Sequence, residues 1–503
     1  MRGDDTAVQS YGAAARSYGE TARNDGADVQ RHIRRSRNRR RNSMKRMLKG
    51  GLIVGERESR IGDILMDEDT GKILQVADQI QAPADAQVVD VSGKLVFPGF
   101  IDGHTHFDLA VAGTVTADDF VTGTRAALAG GTTTILDFCT QYKGESLHQA
   151  LKNWHRKADG KSSCNYGFHL AISDWNPEVS RELAEMETEG VTSYKLYMTY
   201  DDMILEDEAL YQVLKRLHEV GGIAGVHCEN TGLIKALVAE KKSAGELGPE
   251  AHPKTRPDAA EAEAVDRLLK LAQVAGAPVI VVHLSSKAGY EEVLHAREKG
   301  QEIYLETCPQ YLVMDDSLYE KPDFEGARYV CSPPLRKAAD QEQLWAAIRE
   351  NQIQTLATDH CSFTLEQKAM GRDDFTRIPN GMPGVETRPV LFYTYGVGEH
   401  HLPVEQMCRL LAADPARLYG MYPEKGCIRE GSDADLVVWD PEASWTLSVA
   451  DQNANTDYCP LEGMAVKGKA AQVYLGGVLA AEDGKVVKEK LGQYVKRGRY
   501  QAC

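Results

Sequence analysis

Short apolar stretches alternate with longer amphipathic stretches between residues 98 and 425. Eight of the apolar stretches are typical of buried strands: GFIDGHTHF, GTTTILDF, NYGFHLAI, TSYKLYM, GIAGVHCE, PVIVVHLS, EIYLETC and QTLATDH. Segments such as ADDFVTGTRAALAGG and DEALYQVLKRLHEVGG lie between them and end at or near glycine, as helices commonly do. The alternation predicts an α/β fold with parallel strands and crossover helices, and eight such units predict a (β/α)8 TIM barrel over residues 98–425.

The regions on either side of this repeat contain short strands and turns instead. Residues 47–97 include GGLIVG and IGDILMDEDTGKILQVA, and residues 426–487 include SDADLVVWDP and KAAQVYLGGVLAAEDGKVV. Alternating apolar positions separated by Gly and Asp turns indicate antiparallel strands. We therefore expect the two regions to combine into one small β-sandwich domain, with the barrel inserted between its halves.

The two extremities fall outside these domains. Residues 1–46 are predicted to be a disordered basic extension, since residues 1–43 hold ten arginines and five acidic residues without an apolar signal-peptide core. A nucleic-acid-binding arm or an organelle-targeting peptide is the alternative. Residues 488–503 are polar and lack a helical stripe, so we expect them to have little to pack against within one chain and to form an arm that lies on a neighbouring subunit.

Composition narrows the class of protein. The chain has 503 residues, of which 42% are hydrophobic and 26% charged, and its net charge is −16. The negative charge argues against nucleic-acid binding, and no apolar run is long enough to cross a bilayer, so neither a nucleic acid nor a membrane is expected as a partner. The ten cysteines form no CxxC pair or disulfide framework. Free thiols fit a reducing, cytoplasmic compartment.

Potential metal ligands occur at the ends of five of the eight predicted strands. Because the active site of such a barrel lies at the carboxyl ends of its strands, these side chains are expected to converge. The HTH pair ends the first strand, and the two-residue period of a strand directs both imidazoles to one side. The candidate ligands are His104, His106, Lys195, His227, His283 and Asp359.

Lys195 is unusual because an ammonium group in an apolar strand is costly to bury and repels metal cations. Burial near cations lowers the pKa of a lysine, and carbon dioxide converts the neutral amine into an anionic carbamate with two oxygens. A carboxylated Lys195 therefore provides the bridge that two divalent ions need. The structural alternative is that Lys195 binds no metal and its charge is neutralised by an ion pair.

Several motifs of the chain resemble those of one enzyme family. GFIDGHTHFD, SYKLYMTY, SPPLR at 332–336, ATDH and NGMPGVETR at 380–388 resemble the dihydropyrimidinases and D-hydantoinases, which are cyclic amidohydrolases. The resemblance covers residues from about 47 to beyond 480. It implies a hydrolase with two zinc ions per subunit: His104, His106 and Asp359 would bind one ion, His227 and His283 the other, and carboxylated Lys195 would bridge them.

The resemblance also implies substrate-binding and catalytic residues. Tyr200 corresponds to the tyrosine whose hydroxyl supports the oxyanion, and Ser332 and Asn380 correspond to residues that hold a cyclic imide through main-chain groups. Asp359 is expected to carry the proton from the attacking water to the leaving ring nitrogen. The product of this ring opening is an N-carbamoyl amino acid.

One residue bears on which ring is opened. Relatives that act on dihydroorotate carry an arginine in HxHxR to bind the substrate carboxylate, whereas this chain has Asp108 there. A negative side chain disfavours an anionic substrate, so a neutral dihydropyrimidine or 5-substituted hydantoin is expected. Allantoinase is the alternative activity. A metal-free signalling relative of the same fold is the non-enzymatic alternative, disfavoured because all ligands are present. The resemblance further implies a homotetramer.

Overall fold

Strands occupy both ends of the described chain and alternate with helices between them. The structure is a computed structural model that describes residues 44–503, so the prediction for residues 1–43 lies outside the described part. The strands are β1 (Lys45–Val54), β2 (Ser59–Asp67), β3 (Lys72–Ala77), β4 (Ala86–Asp90), β5 (Leu95–Pro98), β6 (Phe100–Thr105), β7 (Ala110–Val111), β8 (Thr114–Val115), β9 (Thr132–Thr140), β10 (Asn165–Ala171), β11 (Ser193–Tyr197), β12 (Ile223–His227), β13 (Val279–Val281), β14 (Ile303–Thr307), β15 (Thr355–Leu356), β16 (Leu436–Thr446), β17 (Ala465–Leu475), β18 (Val478–Glu482) and β19 (Lys485–Val486).

The strands from the two ends form one mixed sheet. Its order is β19-β18-β17-β16-β5-β1-β2-β3, and β4 also pairs with β1. The two ends meet where β5 pairs antiparallel with β16, with Phe97 opposite Val437. Apolar residues from both ends, including Ile64, Met66 and Leu436, form a core of their own. The prediction that both ends combine into one β-domain is confirmed, and β1 begins at Lys45, two residues before the expected boundary.

The eight predicted barrel strands are all present. Parallel strands β6 and β9 to β15 follow one another around the barrel in sequence order. Every residue of β9, β10 and β12 is buried, as expected for strands covered on both faces. The helices are Thr122–Ala129, Leu147–Ala158, Pro177–Met186, Asp207–Val220, Thr231–Ser243, His252–Thr255, Asp258–Ala275, Lys287–Glu298, Gln310–Val313, Ala338–Arg349, Leu365–Lys368, Arg388–Leu391, Val404–Cys408 and Asp414–Leu418. Within residues 44–503, no helix combines the length and apolar character of a membrane span.

Side chains join the first and last strands of the barrel. In the described chain β6 and β15 share no ladder; one isolated bridge, between Thr105 and His360, connects the segments. The Asp102 carboxylate accepts from the Thr358 main-chain N–H at 3.1 Å and from its hydroxyl at 2.7 Å. The fully buried Arg388 donates to the carbonyls of Ile101 and Leu356. This seam sets the relative position of the two strand ends that carry candidate ligands.

The C-terminal segment packs against its own barrel. The Tyr166 N–H donates to the Gln493 carbonyl at 3.1 Å, and the Val495 N–H donates to the Tyr166 carbonyl at 2.8 Å. Arg497 is buried at the amino-terminal face of the barrel, where it donates to the Ser193 hydroxyl at 2.5 Å and to the Phe168 carbonyl. The expectation that residues 488–503 have little to pack against within one chain is therefore wrong, because the amino-terminal face of their own barrel provides the surface on which they pack.

Candidate active site

The structure brings all six predicted ligands to the carboxyl end of the barrel. His104 lies in β6, Lys195 in β11 and His227 at the end of β12, and His106, His283 and Asp359 lie just beyond the ends of β6, β13 and β15. The four histidines and Lys195 are buried, and the Asp359 side chain is 16% exposed. These side chains therefore lie at one end of the barrel, and Asp359 is the most exposed of them.

The distances between ligand atoms are those of a site for cations. His104 Nε2 and His106 Nε2 lie 3.1 and 3.0 Å from Asp359 Oδ1. One ligand atom each from His104, His283 and Asp359 fall within 4.8 Å of one another. The His227 ring lies 4.5 Å from the His283 ring, centroid to centroid, and so extends the cluster.

Several of these nitrogens have no partner within the described chain. His106 Nδ1 and His283 Nδ1 are buried without a hydrogen bond, and His104 Nε2 has only the Asp359 carboxylate beside it, at 3.1 Å. Buried polar atoms are normally satisfied, and imidazole nitrogens with a carboxylate are ligands that zinc prefers. The donor set therefore fits divalent metal ions, which the family uses.

The protonation states also fit metal binding. Burial, opposed by Asp359, lowers the pKa of His106 to about 4, and burial together with Lys195 holds the pKa of His283 well below its usual range. Burial acts to raise the pKa of Asp359, but His104 and His106 outweigh it and lower that pKa strongly. Neutral imidazoles and an anionic carboxylate are the forms that coordinate a metal.

His104 differs from the other histidines. Burial and Lys195 act to lower its pKa, but the carboxylates of Glu306 and Asp359 outweigh them and raise it. The two carboxylates that stabilise a proton on this ring would also stabilise a metal cation beside it.

Lys195 has no carboxylate within ion-pair distance among the described residues. Its Nζ lies 4.9 Å from the centre of the Phe138 ring and 5.2 Å from that of Tyr197. Burial, opposed by Asp359 and Glu306, lowers the pKa of Lys195 to about 8. A neutral amine is therefore accessible near neutral pH, as carboxylation by carbon dioxide requires.

Two buried carboxylates orient ligand rings and were not found from the sequence. His104 Nδ1 lies 2.6 Å from Glu306 Oε1, and His227 Nε2 lies 2.7 Å from Glu229 Oε2. Arg256 donates to the same oxygen of Glu229. Each contact holds one ring nitrogen and leaves the other free for a metal. The available signal was a glutamate inside an apolar strand, EIYLETC, and one two residues after a ligand, HCEN.

Left-handed backbone occurs at three of the predicted site residues. The φ angles of Tyr200, His283 and Asp359 are 70°, 39° and 52°. Such angles are uncommon outside glycine and concentrate at functional sites, where the surrounding fold holds them. At each of these residues the chain turns shortly after a strand has ended, at the carboxyl end of the barrel.

The three predicted substrate-binding residues lie together beside the ligands. Asn380 Nδ2 donates to the Ser332 hydroxyl at 3.0 Å, and the Ser332 side chain lies near the Tyr200 hydroxyl. The Tyr200 ring lies 5.1 Å from the His227 ring, centroid to centroid. The cluster therefore joins the metal-ligand group to two main-chain segments, around residues 332 and 380.

Comparisons with known proteins identify the family of the chain. The Amidohydrolase family matches residues 95–480. A D-hydantoinase from Geobacillus stearothermophilus is 43% identical over 463 residues, which cover 91% of this chain and 98% of that protein. The crystal structure of a dihydropyrimidinase from Brevibacillus agri NCHU1002 has a TM-score of 0.89 and 42% identity, covering 91% of this chain and 99% of that one. An L-hydantoinase structure from Arthrobacter aurescens has a TM-score of 0.82 and 28% identity, covering 90% and 99%. The barrel, its ligand cluster and these matches together show that the chain belongs to the amidohydrolase family.

Proposed function

We propose that this chain hydrolyses the ring amide bond of neutral dihydropyrimidines or 5-substituted hydantoins and releases N-carbamoyl amino acids. The observation that carries the proposal is that six potential ligands from five strand ends lie at the carboxyl end of the barrel, with His104, His283 and Asp359 close enough to share one ion. Relatives of high coverage named D-hydantoinase and dihydropyrimidinase support the substrate class.

The proposed cofactor is two zinc ions per chain. His104, His106 and Asp359 would hold one ion, His227 and His283 the other, and carboxylated Lys195 would bridge them. When bound, the ions supply a Lewis acid for the ring carbonyl and lower the pKa of a water molecule toward neutrality. The unpartnered nitrogens of His106 and His283 support this assignment.

The protein's own side chains account for the remaining steps. Asp359 accepts a proton from the attacking water and transfers it to the ring nitrogen as the C–N bond breaks. The Tyr200 hydroxyl donates a hydrogen bond to the carbonyl oxygen as negative charge develops on it. Main-chain groups of Ser332 and Asn380 hold the imide. Water thus adds across the ring amide bond without a change in oxidation state.

Asp108 supports a neutral substrate. It follows His106 by two residues, and its carboxylate lies 4.0 Å from Lys157 Nζ, at the outer limit of an ion pair. The negative charge of Asp108 disfavours an anionic ring such as dihydroorotate. Allantoin is the second candidate substrate, and only the motif match to dihydropyrimidinases disfavours it.

Turnover measurements test the substrate class. The purified, zinc-loaded protein is expected to open dihydrouracil, dihydrothymine or 5-phenylhydantoin, with dihydroorotate and allantoin as comparison rings. Metal analysis is expected to find about two ions per chain, and chelation is expected to abolish turnover. Exclusive turnover of allantoin or dihydroorotate, or full activity without metal, would contradict the proposal.

The proposal also includes an oligomeric state and a cellular compartment for the protein. We propose a homotetramer because the chain resembles the dihydropyrimidinases and D-hydantoinases, and light scattering tests this mass. The C-terminal segment packs on its own barrel and is not part of the argument for the tetramer. All ten cysteines are free thiols, eight of them buried, which favours the cytoplasm. Fractionation of the source cells tests that compartment.

A further inference from the structure

Lys368 is a buried lysine whose acceptors are all main-chain carbonyls. Its Nζ donates to the carbonyl of Val330 at 3.0 Å, of Pro379 at 2.7 Å and of Gly381 at 2.8 Å. The residue is 1% exposed, and no ion pair joins it to a carboxylate anywhere in residues 44–503. Burial lowers the pKa of Lys368 to about 7, and the three carbonyls match the three donors of its protonated form. These contacts connect two segments that are distant in sequence.

A one-turn helix fixes the position of this lysine. Lys368 ends the helix Leu365–Lys368, which begins with a reciprocal capping box between Thr364 and Gln367. Its Nζ lies 5.6 Å from the centre of the Phe363 ring. The ammonium group therefore has a defined location from which it holds both segments.

The carbonyls that Lys368 holds determine the orientation of neighbouring N–H groups. Because a peptide unit is planar, fixing the Pro379 carbonyl also fixes the N–H of Asn380. The Gly381 N–H donates to the Val330 carbonyl at 2.9 Å, which fixes the next peptide unit and with it the carbonyl of Asn380. Both main-chain polar groups of Asn380 are thus oriented by contacts that involve Lys368 or its acceptor Val330.

The second segment is anchored in the same way. Val330 lies two residues before Ser332, and His252 Nε2 lies 2.7 Å from the carbonyl of Cys331, whose peptide unit contains the Ser332 N–H. The Asn380 side chain then donates directly to the Ser332 hydroxyl. Lys368 therefore lies beneath the two segments that meet at the substrate pocket.

Lys425, another buried lysine, differs from Lys368 in the groups that it contacts. Lys425 is 7% exposed and pairs with two carboxylates, those of Asp433 and Asp435. It lies in the junction that precedes β16, where its charge offsets those of the buried Asp435 and the half-buried Asp433. Lys368 has no such acid to neutralise, and its contacts are made only to main chain.

We propose that Lys368 is a positioning residue for substrate: it holds the segments around residues 332 and 380 so that their main-chain groups bind the cyclic imide. This role rests on the proposed function. It goes beyond the resemblance, because it concerns a side chain that touches neither substrate nor metal and acts through the main chain of others.

Replacing Lys368 separates substrate positioning from stability. Lys368→Met keeps the length of the side chain and removes all three donors, and Lys368→Arg keeps the charge but places its donors in a plane that does not suit three convergent carbonyls. Lys425→Met is the matched control, a buried lysine outside the pocket. We expect KM for the cyclic imide to rise about tenfold to a hundredfold in both Lys368 variants, with a smaller fall in kcat and wild-type metal content. Lys425→Met is expected to lower the thermal midpoint without changing KM.

Hydrogen exchange supplies a readout that needs no substrate. The main-chain amides of residues 330–332 and 380–382 are expected to exchange faster in metal-loaded Lys368→Met than in wild type, and to be unchanged in Lys425→Met. If wild type opens none of the tested rings, the proposed function fails, and the exchange data still decide whether Lys368 orders these segments. Unchanged KM or unchanged exchange in a folded, metal-loaded variant overturns the role. Failure of both Lys368 variants to fold would assign the residue to stability and overturn it as well.

Discussion

His104 Nδ1 lies 2.6 Å from Glu306 Oε1, and both side chains are removed from solvent. The contact fixes the ring so that Nε2 points toward Asp359, 3.1 Å away. Glu306 Oε1 also accepts from the His283 main-chain N–H at 3.2 Å, and Oε2 has no hydrogen-bond partner in the described chain, so His104 is the only side chain that hydrogen-bonds to this carboxylate there. A carboxylate in this position makes the ring a stronger ligand.

Glu306→Gln is therefore expected to weaken metal binding about 10- to 100-fold, since the amide retains an acceptor for His104 but loses the charge. Competition with a chromogenic chelator measures the affinity. Glu302→Gln, an exposed change near the start of β14, serves as the control. Equal affinities for wild type and Glu306→Gln would show that the carboxylate charge does not act on the metal.

Lys195→Ala is expected to lose bound metal and activity, because the proposed bridge is then missing. Addition of a short-chain carboxylic acid, which can occupy the space left by the side chain, is expected to restore part of both. Metal analysis and turnover with and without added acid measure the effect. An intact mass or a density map that shows an unmodified amine in an active, metal-loaded protein would rule out the carbamate.

Tyr200→Phe is expected to lower kcat about 100- to 1,000-fold, the usual loss when one oxyanion donor is removed. Metal content should stay at the wild-type level because Tyr200 is not a proposed ligand. Tyr211→Phe, in the helix Asp207–Val220, removes a hydroxyl away from the pocket and is expected to have no effect. A kcat equal to that of wild type would exclude Tyr200 from the chemistry.

Asp118 gives a pH-dependent prediction. Its carboxylate accepts from His360 at 3.0 Å and from Ser362 at 2.7 Å; burial acts to raise its pKa, but the interactions with His360 outweigh burial and lower it to about 2. Because the folded pKa is below the unfolded value, the stabilisation is complete above about pH 4 and is lost as the pH falls toward 2.

Asp118→Asn is accordingly expected to lower the free energy of unfolding by about 2 kcal/mol at pH 6, and by clearly less at pH 3. Urea unfolding of the chelated protein at both pH values measures the difference. Asp119→Asn, at the exposed neighbour, provides the control. A difference from wild type that is the same at both pH values would contradict the lowered pKa.

Arg497→Met is expected to destabilise the protein by about 2–3 kcal/mol, because the Phe168 carbonyl and the Ser193 hydroxyl lose a charged donor. Thermal unfolding measures the loss, and light scattering should find an unchanged mass. Lys496→Met, at the exposed neighbour, is the control. A reduced mass with an unchanged thermal midpoint would instead place the segment in a subunit contact.

The barrel could be predicted from the sequence because its signals are local. Each strand is a short apolar run, and ligands such as His227 and Asp359 stand at or just beyond a strand end, so position along the chain already specifies position in the barrel. Glu306 and Lys368 gave no comparable signal, since their partners are close only in space. The C-terminal segment was misjudged for the same reason: Val495 and Tyr500 follow no period, and the surface that buries them is formed by strands far away in the sequence.

The seam between β6 and β15 has a consequence for how the protein loses metal. His104 and Asp359 lie on opposite sides of this seam, which side chains hold in place of a ladder. An ion shared by these two residues would cross-link the first strand of the barrel to the last and close a chain loop that includes every strand between them. Metal binding would then stabilise the closed barrel, and the apoprotein is expected to open at this seam more readily than the metal-loaded protein.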